Sequence, residues 1–369
     1  MNILHDIKEI EKICREAITA GVFPGVGIGV AAGEKGVRKR GVITRGTTRY
    51  KEGAAITGQT FFDLASLTKP LATTLLVLSL LRDGLVGLEQ PLARFFKEAP
   101  ADKRDISLRD LLSHSSGLTA HQPYYLELGN IPQPERIAAL RHRILTAPLQ
   151  YRTGTRAVYS DLGFLLLGMV VEQVSGQGLD ELFQERITRP MGLSETLFFN
   201  RAGTARPGTY AATEFCPWRG RVLAGEASDE NCFVLGGVAG HAGLFGTTGA
   251  ALTLVEAIHD LWLGEATPLA IDPADMQRFL TRQPVPGSTW ALGFDTPSAS
   301  GSTSGRFFSP HSAGHLGFTG TSFWIDPAQH AVVVLLTNRV HPSRENPGIR
   351  AFRPQLHDAV MRGLGLAAQ

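Results

Sequence analysis

This chain of 369 residues is poor in cysteine, poor in lysine and without a long apolar run. Its three cysteines, Cys14, Cys216 and Cys232, are odd in number, far apart and outside any C-x-x-C pair. That excludes a disulfide framework and a cysteine-built zinc site. The longest apolar stretch, Leu71–Leu81, is interrupted by Thr73, Thr74 and Ser79 and stops at Arg82. It falls far short of the roughly 20 residues that span a bilayer, so no membrane partner is expected. At the N-terminus charges are interleaved with Ile3, Leu4, Ile7, Ile10, Ile13 and Ile18. A secretory signal needs about 7–15 uninterrupted apolar residues. The expectation is a cytoplasmic protein, or a periplasmic one if translation starts upstream. Basic surplus is also missing, with 36 Lys and Arg against 34 Asp and Glu. A phosphate-neutralising surface needs a clustered excess, so nucleic acid is not an expected partner.

The lysine shortage is the most useful of these absences. The eight lysines lie at positions 8, 12, 35, 39, 51, 69, 97 and 103, and none follows Lys103. Any mechanism that needs an amine must find it in the first third of the chain. Several motifs are missing too: there is no P-loop, no H-E-x-x-H and no G-x-S-x-G elbow. No cofactor and no metal are expected.

What is present begins with 43% apolar residues, ample for a packed core. The length suggests about two structural units. Residues 3–20 read as an amphipathic helix ended by Gly21, and Val26–Ala32 with Val37–Thr44 read as a hairpin. A helix is predicted from near Ser66 to Leu81. Residues up to about 280 are mainly helical, with an irregular glycine-rich stretch over 200–250. STWALGFD, RFFSPHSAG, HLGFTGTSFWID and AVVVLLTN return to strand patterning, and a helix over Arg350–Arg362 closes the chain. The order of strands, helices, strands and helix implies an α/β (α+β) fold. Its antiparallel sheet is built from 1–82 with 283–369, and 83–282 forms a mainly helical insertion. GIGVAA at Gly27–Ala32 fits the relaxed dinucleotide fingerprint, but a helix precedes it and a hairpin follows, so it reads as a glycine-rich strand.

Ser66-Leu67-Thr68-Lys69 is the sole S-x-x-K among the eight lysines. On a helix, positions i and i+3 share a face, so the amine reaches the hydroxyl. A serine at a helix N-terminus also has free N–H groups nearby, suited to an oxyanion. Alone the tetrad is a weak signal, and the less favoured reading is a helix-capping serine with a snorkelling lysine. Two further segments accompany it: Tyr159-Ser160-Asp161 in a turn before an apolar helix, and His315-Leu316-Gly317-Phe318-Thr319-Gly320 in strand patterning. Together the three resemble the S-x-x-K, Y-x-N and K-T-G or H-x-G motifs of penicillin-recognising serine hydrolases. Closest are class C β-lactamases, low-molecular-weight penicillin-binding proteins, D-aminopeptidases and family VIII-type esterases. The order agrees along nearly the whole chain, with LLSHSSGL, LGGVAGHAGLF and TNRVHPSREN as supporting segments.

The resemblance implies a β-lactamase/transpeptidase-like fold and a hydrolase working through an acyl-enzyme. Ser66 becomes the nucleophile, and Lys69 and Tyr159 the proton-handling residues, with the base left open between them. The backbone N–H groups of Ser66 and Phe318, the latter just after Gly317, become the oxyanion hole. Two positions depart from the family pattern. Asp161 replaces an asparagine, and a carboxylate accepts hydrogen bonds without donating. Its charge favours a protonated Lys69 and moves the base role toward the tyrosine. His315 replaces the lysine of K-T-G, and an imidazole is mostly neutral at pH 7. Arg339 or Arg344 is then expected to supply the anion contact. Both departures speak against efficient β-lactam hydrolysis. The expected partner is a small ester, a D-amino-acid peptide, a peptidoglycan fragment or a β-lactam-like molecule. A non-catalytic sensor of peptidoglycan fragments is the alternative.

Other polar residues carry competing readings. His114 reads as a turn stabiliser rather than a catalyst, and His241 divides evenly between structure and site rim. Asp229, Glu230 and Asn231 read as a solvated loop in preference to a cation site. Tyr124 and Tyr125 are rim candidates by analogy only.

Overall fold

The structure, a computed structural model, describes residues 7–367. Ile3 and Leu4 of the first predicted helix lie outside the described residues; the helix is seen over Ile7–Thr19.

The segment Ala331–Thr337 explains the architecture. Its sequence AVVVLLT has no polar face, so both sides must be covered. Ala331, Val333 and Leu335 point to one side, where the helices Ile7–Thr19 and Ile349–Gly363 pack through Ile10, Cys14, Phe352, Leu356 and Val360. Val332, Val334 and Leu336 join the larger core on the other side. This strand is central in an antiparallel sheet ordered Lys39–Gly46, Gly25–Ala32, Ala331–Thr337, Ser322–Asp326 and Ala313–Leu316. Ile28 faces Leu335 on one neighbour and Ile43 on the other, and Val333 faces Trp324. The sheet thus unites the two chain ends, and Ala313–Leu316 is left as an edge strand.

The helix Thr248–Trp262, from within 83–282, lies against the inner face of this sheet. The glycines of GIGVAA explain how close it comes. A Cβ on Gly27 would sit 2.1 Å from the Thr248 hydroxyl, and one on Gly29 would sit 3.1 Å from Leu252. These glycines serve helix–sheet packing, in keeping with the reading of a plain strand. No single helix among the described residues is long and apolar enough to cross a membrane.

Phe62–Asp63 belongs to a second small sheet with Leu244–Gly246 and Leu197–Phe199. It delivers the chain into a helical run that opens as one 3-10 turn over Ala65–Leu67. The run widens to a π-helical stretch over Lys69–Thr74 and becomes α-helical over Leu75–Arg82. The predicted helix near Ser66 is therefore present, with a looser first half than its sequence suggests. STWALGFD forms no regular strand. Trp290 bridges Asp295 and Asp295 bridges Gly314 as isolated pairs, with Gly293 at φ +82° turning the chain between them.

Candidate active site

The start of the helical run, the turn before helix Asp161–Ser175 and the edge strand meet at a cavity of about 860 Å³. Ser66, Tyr159, Asp161, His315, Gly317, Phe318 and Arg344 all line it. Lys69 sits one turn behind Ser66 with its side chain fully buried. Its Nζ donates to Ser66 Oγ at 3.2 Å, to Asp161 Oδ1 at 2.7 Å and to the His241 carbonyl at 3.2 Å. Three acceptors match the three protons of an ammonium. Burial opposes that charge, but Asp161 overrides it and holds Lys69 above its usual range.

Tyr159 is fixed from the turn side. Ser160 caps the helix, its Oγ accepting the Gly163 N–H and donating to the Thr119 carbonyl. This leaves Asp161 in the first helical turn, where the helix dipole favours a carboxylate. Burial pushes Asp161 up, but Lys69 and His121 hold it well below the usual carboxylate range. The Tyr159 ring lies 4.7 Å from Lys69 Nζ and against His114, Trp290 and His315. Its hydroxyl is buried and has no hydrogen-bond partner of good geometry. Burial raises the phenol above its ordinary value, opposed by the Lys69 ammonium. Both proton-handling candidates are thus protonated in the resting site.

On the strand side, a Cβ on Gly317 would meet Thr321 Oγ1 at 1.9 Å and the Leu64 carbonyl at 2.9 Å. Only glycine lets this strand approach the helix start so closely. The following Phe318 N–H has no acceptor among the described residues. His315 donates from Nδ1 to the Leu316 carbonyl at 2.8 Å, leaving Nε2 buried and unpartnered. Burial and the nearby Lys69 depress it to about 3, so it is a neutral imidazole. No ammonium stands where K-T-G would place one.

The expected anion contacts come apart in the structure. Arg344 is held between Glu214 and Glu230 at 2.6 Å each, so its charge is already neutralised. Arg339 donates to the carbonyls of Phe318, Arg344 and Asn346 and has no carboxylate partner among the described residues. Beside it are two arginines that sequence reasoning missed. Arg353 is buried, donates to the Gly317 and Thr321 carbonyls at 2.9 Å each, and keeps an unpartnered Nε. Burial and Arg339 lower it to about 10. Arg350 is exposed on the same wall. The signal available in the sequence was their i,i+3 spacing at the start of the last helix.

His241 Nε2 pairs with Asp229 Oδ1 at 2.9 Å, so its side chain and its carbonyl both serve the site. Asp229 to Asn231 do not form a solvated loop. Asp229 caps the short helix Glu230–Val234, and fully buried Asn231 bonds Tyr125 N and the Gln122 carbonyl. His121, Asp161 and Asp229 bring one ligand atom each within 4.8 Å of one another. Asp161 and Asp229 already have cationic or imidazole partners, and a dication there would lie beside the Lys69 ammonium. The trio does not favour a metal. His114, at φ +57°, accepts the Ser160 N–H at Nδ1, packs at a tilt on Tyr159 and meets Trp290 edge-on, which agrees with its reading as a turn stabiliser. Trp290 was missed because its segment reads as a strand.

Residues 10–356 match the family model described as Beta-lactamase. The chain is 32% identical over 325 residues to a protein of Escherichia coli K12 named putative D-alanyl-D-alanine carboxypeptidase, covering 82% of this chain and 74% of that one. It is 30% identical over 377 residues to the N-acetylmuramyl-L-alanine amidase of Bacillus subtilis, covering 93% and 84%. Among solved structures, the octameric penicillin-binding protein homologue of Pyrococcus abyssi superposes with a TM-score of 0.74 at 19% identity, covering 98% of this chain and 80% of that one. That likeness is one of fold.

Proposed function

The chain belongs to the Beta-lactamase family, and from that premise we propose that it opens an amide bond of an anionic peptidoglycan fragment through an acyl-enzyme on Ser66. The observation that carries this reading is the buried Lys69 ammonium bonded at once to Ser66 Oγ and Asp161 Oδ1, two residues that line a substrate-sized cavity.

Ser66 Oγ attacks the carbonyl carbon and must shed its proton as it does so. With Lys69 and Tyr159 both protonated, a neutral phenol serves as a two-way shuttle. The serine proton passes to Tyr159 Oη while the Tyr159 proton passes to the departing nitrogen. The oxyanion is received by the N–H groups of Ser66 and Phe318, and Lys69 stabilises the developing charge on Oγ. Water enters by the reverse transfer and releases the acid. The leaving group's negative charge is taken by Arg350 and Arg353. The names of the two curated relatives support a peptidoglycan amide over a small neutral ester. The neutral His315 and the occupied Arg344 argue against fast β-lactam turnover.

The test is labelling with a fluorophosphonate, the adduct mapped by mass spectrometry, beside turnover of a muropeptide, a p-nitrophenyl ester and nitrocefin. An adduct on Ser66 and preference for the muropeptide are expected. An unlabelled Ser66 together with full activity of Ser66→Ala overturns the reading. Tight muropeptide binding without turnover would instead favour the sensor.

A further inference from the structure

The residue before Ser66 is strained. Ala65 has φ +48°, one of five non-glycine residues with positive φ among those described. An L-residue with a Cβ disfavours this region, and alanine has no polar side chain to offset it. The conformation persists only because its surroundings impose it. The Ala65 carbonyl accepts from Thr68 Oγ1 at 2.6 Å, and its N–H donates to Asp63 Oδ1 at 2.8 Å. The other oxygen of the same carboxylate accepts the Ser228 N–H at 2.7 Å, and the Asp63 carbonyl accepts from Thr319 Oγ1 at 2.8 Å. Asp63 is 3% exposed. One buried residue thus joins three segments that converge on Ser66: the strained turn, the loop leading to Asp229, and the turn carrying Phe318.

We propose that Asp63 is a positioning residue for the nucleophile, its carboxylate clamping Ala65 in the left-handed conformation that aims Ser66 at the cavity and at Lys69. The proposal rests on Ser66 being the acylated residue. A carboxylate is needed because both bonds are accepted: an asparagine has one acceptor oxygen, and its NH₂ would face the second N–H donor. Cysteine-like or apolar replacements would leave two buried donors unpaired.

The clamp is separable from general stability by relieving the strain it opposes. Glycine adopts positive φ at no steric cost. The experiment is a double-mutant cycle of Asp63→Asn and Ala65→Gly, reading the rate of fluorophosphonate adduct formation at Ser66, with thermal unfolding followed in parallel. Asp63→Asn is expected to slow labelling about tenfold or more in the Ala65 background and about twofold in the Ala65→Gly background. Equal slowing in both backgrounds overturns the proposal, as does a folded Asp63→Asn that labels at the parent rate with only a lower unfolding midpoint. No label on the parent Ser66 overturns the acyl-enzyme reading itself, a distinct result.

If Asp63→Asn does not fold, the pH profile of the parent decides. Burial lifts Asp63 to about 7, with Glu214 and Asp229 the carboxylates that face it. Arg344 holds Glu214, and His241 holds Asp229. Labelling should fall as pH drops through that value, and Ala65→Gly should flatten the fall. Coincident profiles overturn the proposal.

Discussion

Around the cavity, one set of charged side chains is matched: Lys69 with Asp161, Asp229 with His241, Arg344 with Glu214 and Glu230. A second set, Arg339, Arg350 and Arg353, lines the same cavity, and none of the three has a carboxylate partner among the described residues. The matched set is preorganised, its groups already hydrogen-bonded in one arrangement, so little reorganisation is left for a reaction step. The unmatched cations raise one another's cost. Burying an unpaired guanidinium is unfavourable unless a ligand brings the countercharge. On the proposed function, the matched set serves the chemistry and the unmatched set recognition.

The largest expected effect tests the nucleophile beside the matched set. Ser66→Ala should lower turnover by about 10³-fold or more, as loss of a nucleophile does elsewhere. Turnover close to that of the parent would dissolve the distinction between the two sets. Next comes the basic wall. Arg350→Ala should lower the ratio of kcat/KM for an anionic muropeptide over a neutral ester by roughly tenfold, the scale of one charge-assisted hydrogen bond. An unchanged ratio would remove the anion from the proposal.

Asp161→Asn sharpens the comparison from within. Without that carboxylate, burial is opposed on Lys69 by Tyr159 alone, and its pKa falls. The acid limb of the kcat profile should then move to lower pH if Lys69 carries the base role, and stay in place if the neutral Tyr159 shuttle does. A steady-state profile between pH 5 and 10 separates the two.

The smallest effect is on stability. His315 is held at about 3, His259 and His357 at about 4, mainly by burial. Near pH 6.5 and below, the unfolded chain takes up protons that these folded imidazoles refuse. Stability is therefore lost as pH falls from about 6.5 toward 4. Asp63 and Asp295, raised to about 7 and about 6, act in the opposite sense, Asp63 across that whole window and Asp295 from about 6 down to 4. Thermal midpoints should decline modestly between pH 6.5 and 4. A flat profile would show that the histidines are less enclosed than their burial indicates.

Some of this was legible in the sequence. Ser66, Lys69, Tyr159, Gly317 and Phe318 sit in short motifs whose spacing the backbone geometry preserves, and the structure brings all five together at one cavity. The sheet from both chain ends followed from the order of strand and helix patterns. Other features stayed hidden because they depend on distant partners. Arg344 looked like a free cation until Glu214, 130 residues away, closed on it. Asp229–Asn231 looked solvated until Gln122, Tyr125 and His241 packed over them. Trp290 looked like strand until a glycine turn folded it onto His114 and Tyr159.

The sequence by itself determined that Lys69 is the single S-x-x-K amine, one helical turn from Ser66, since an i,i+3 spacing is local and none of the other seven lysines has a serine at that spacing. It also determined that a histidine, His315, stands where the later lysine of the K-T-G motif would be. Tertiary structure alone decided which groups are charged and which are free. Burial depth and countercharge set protonation, and both are properties of segments that meet only after folding.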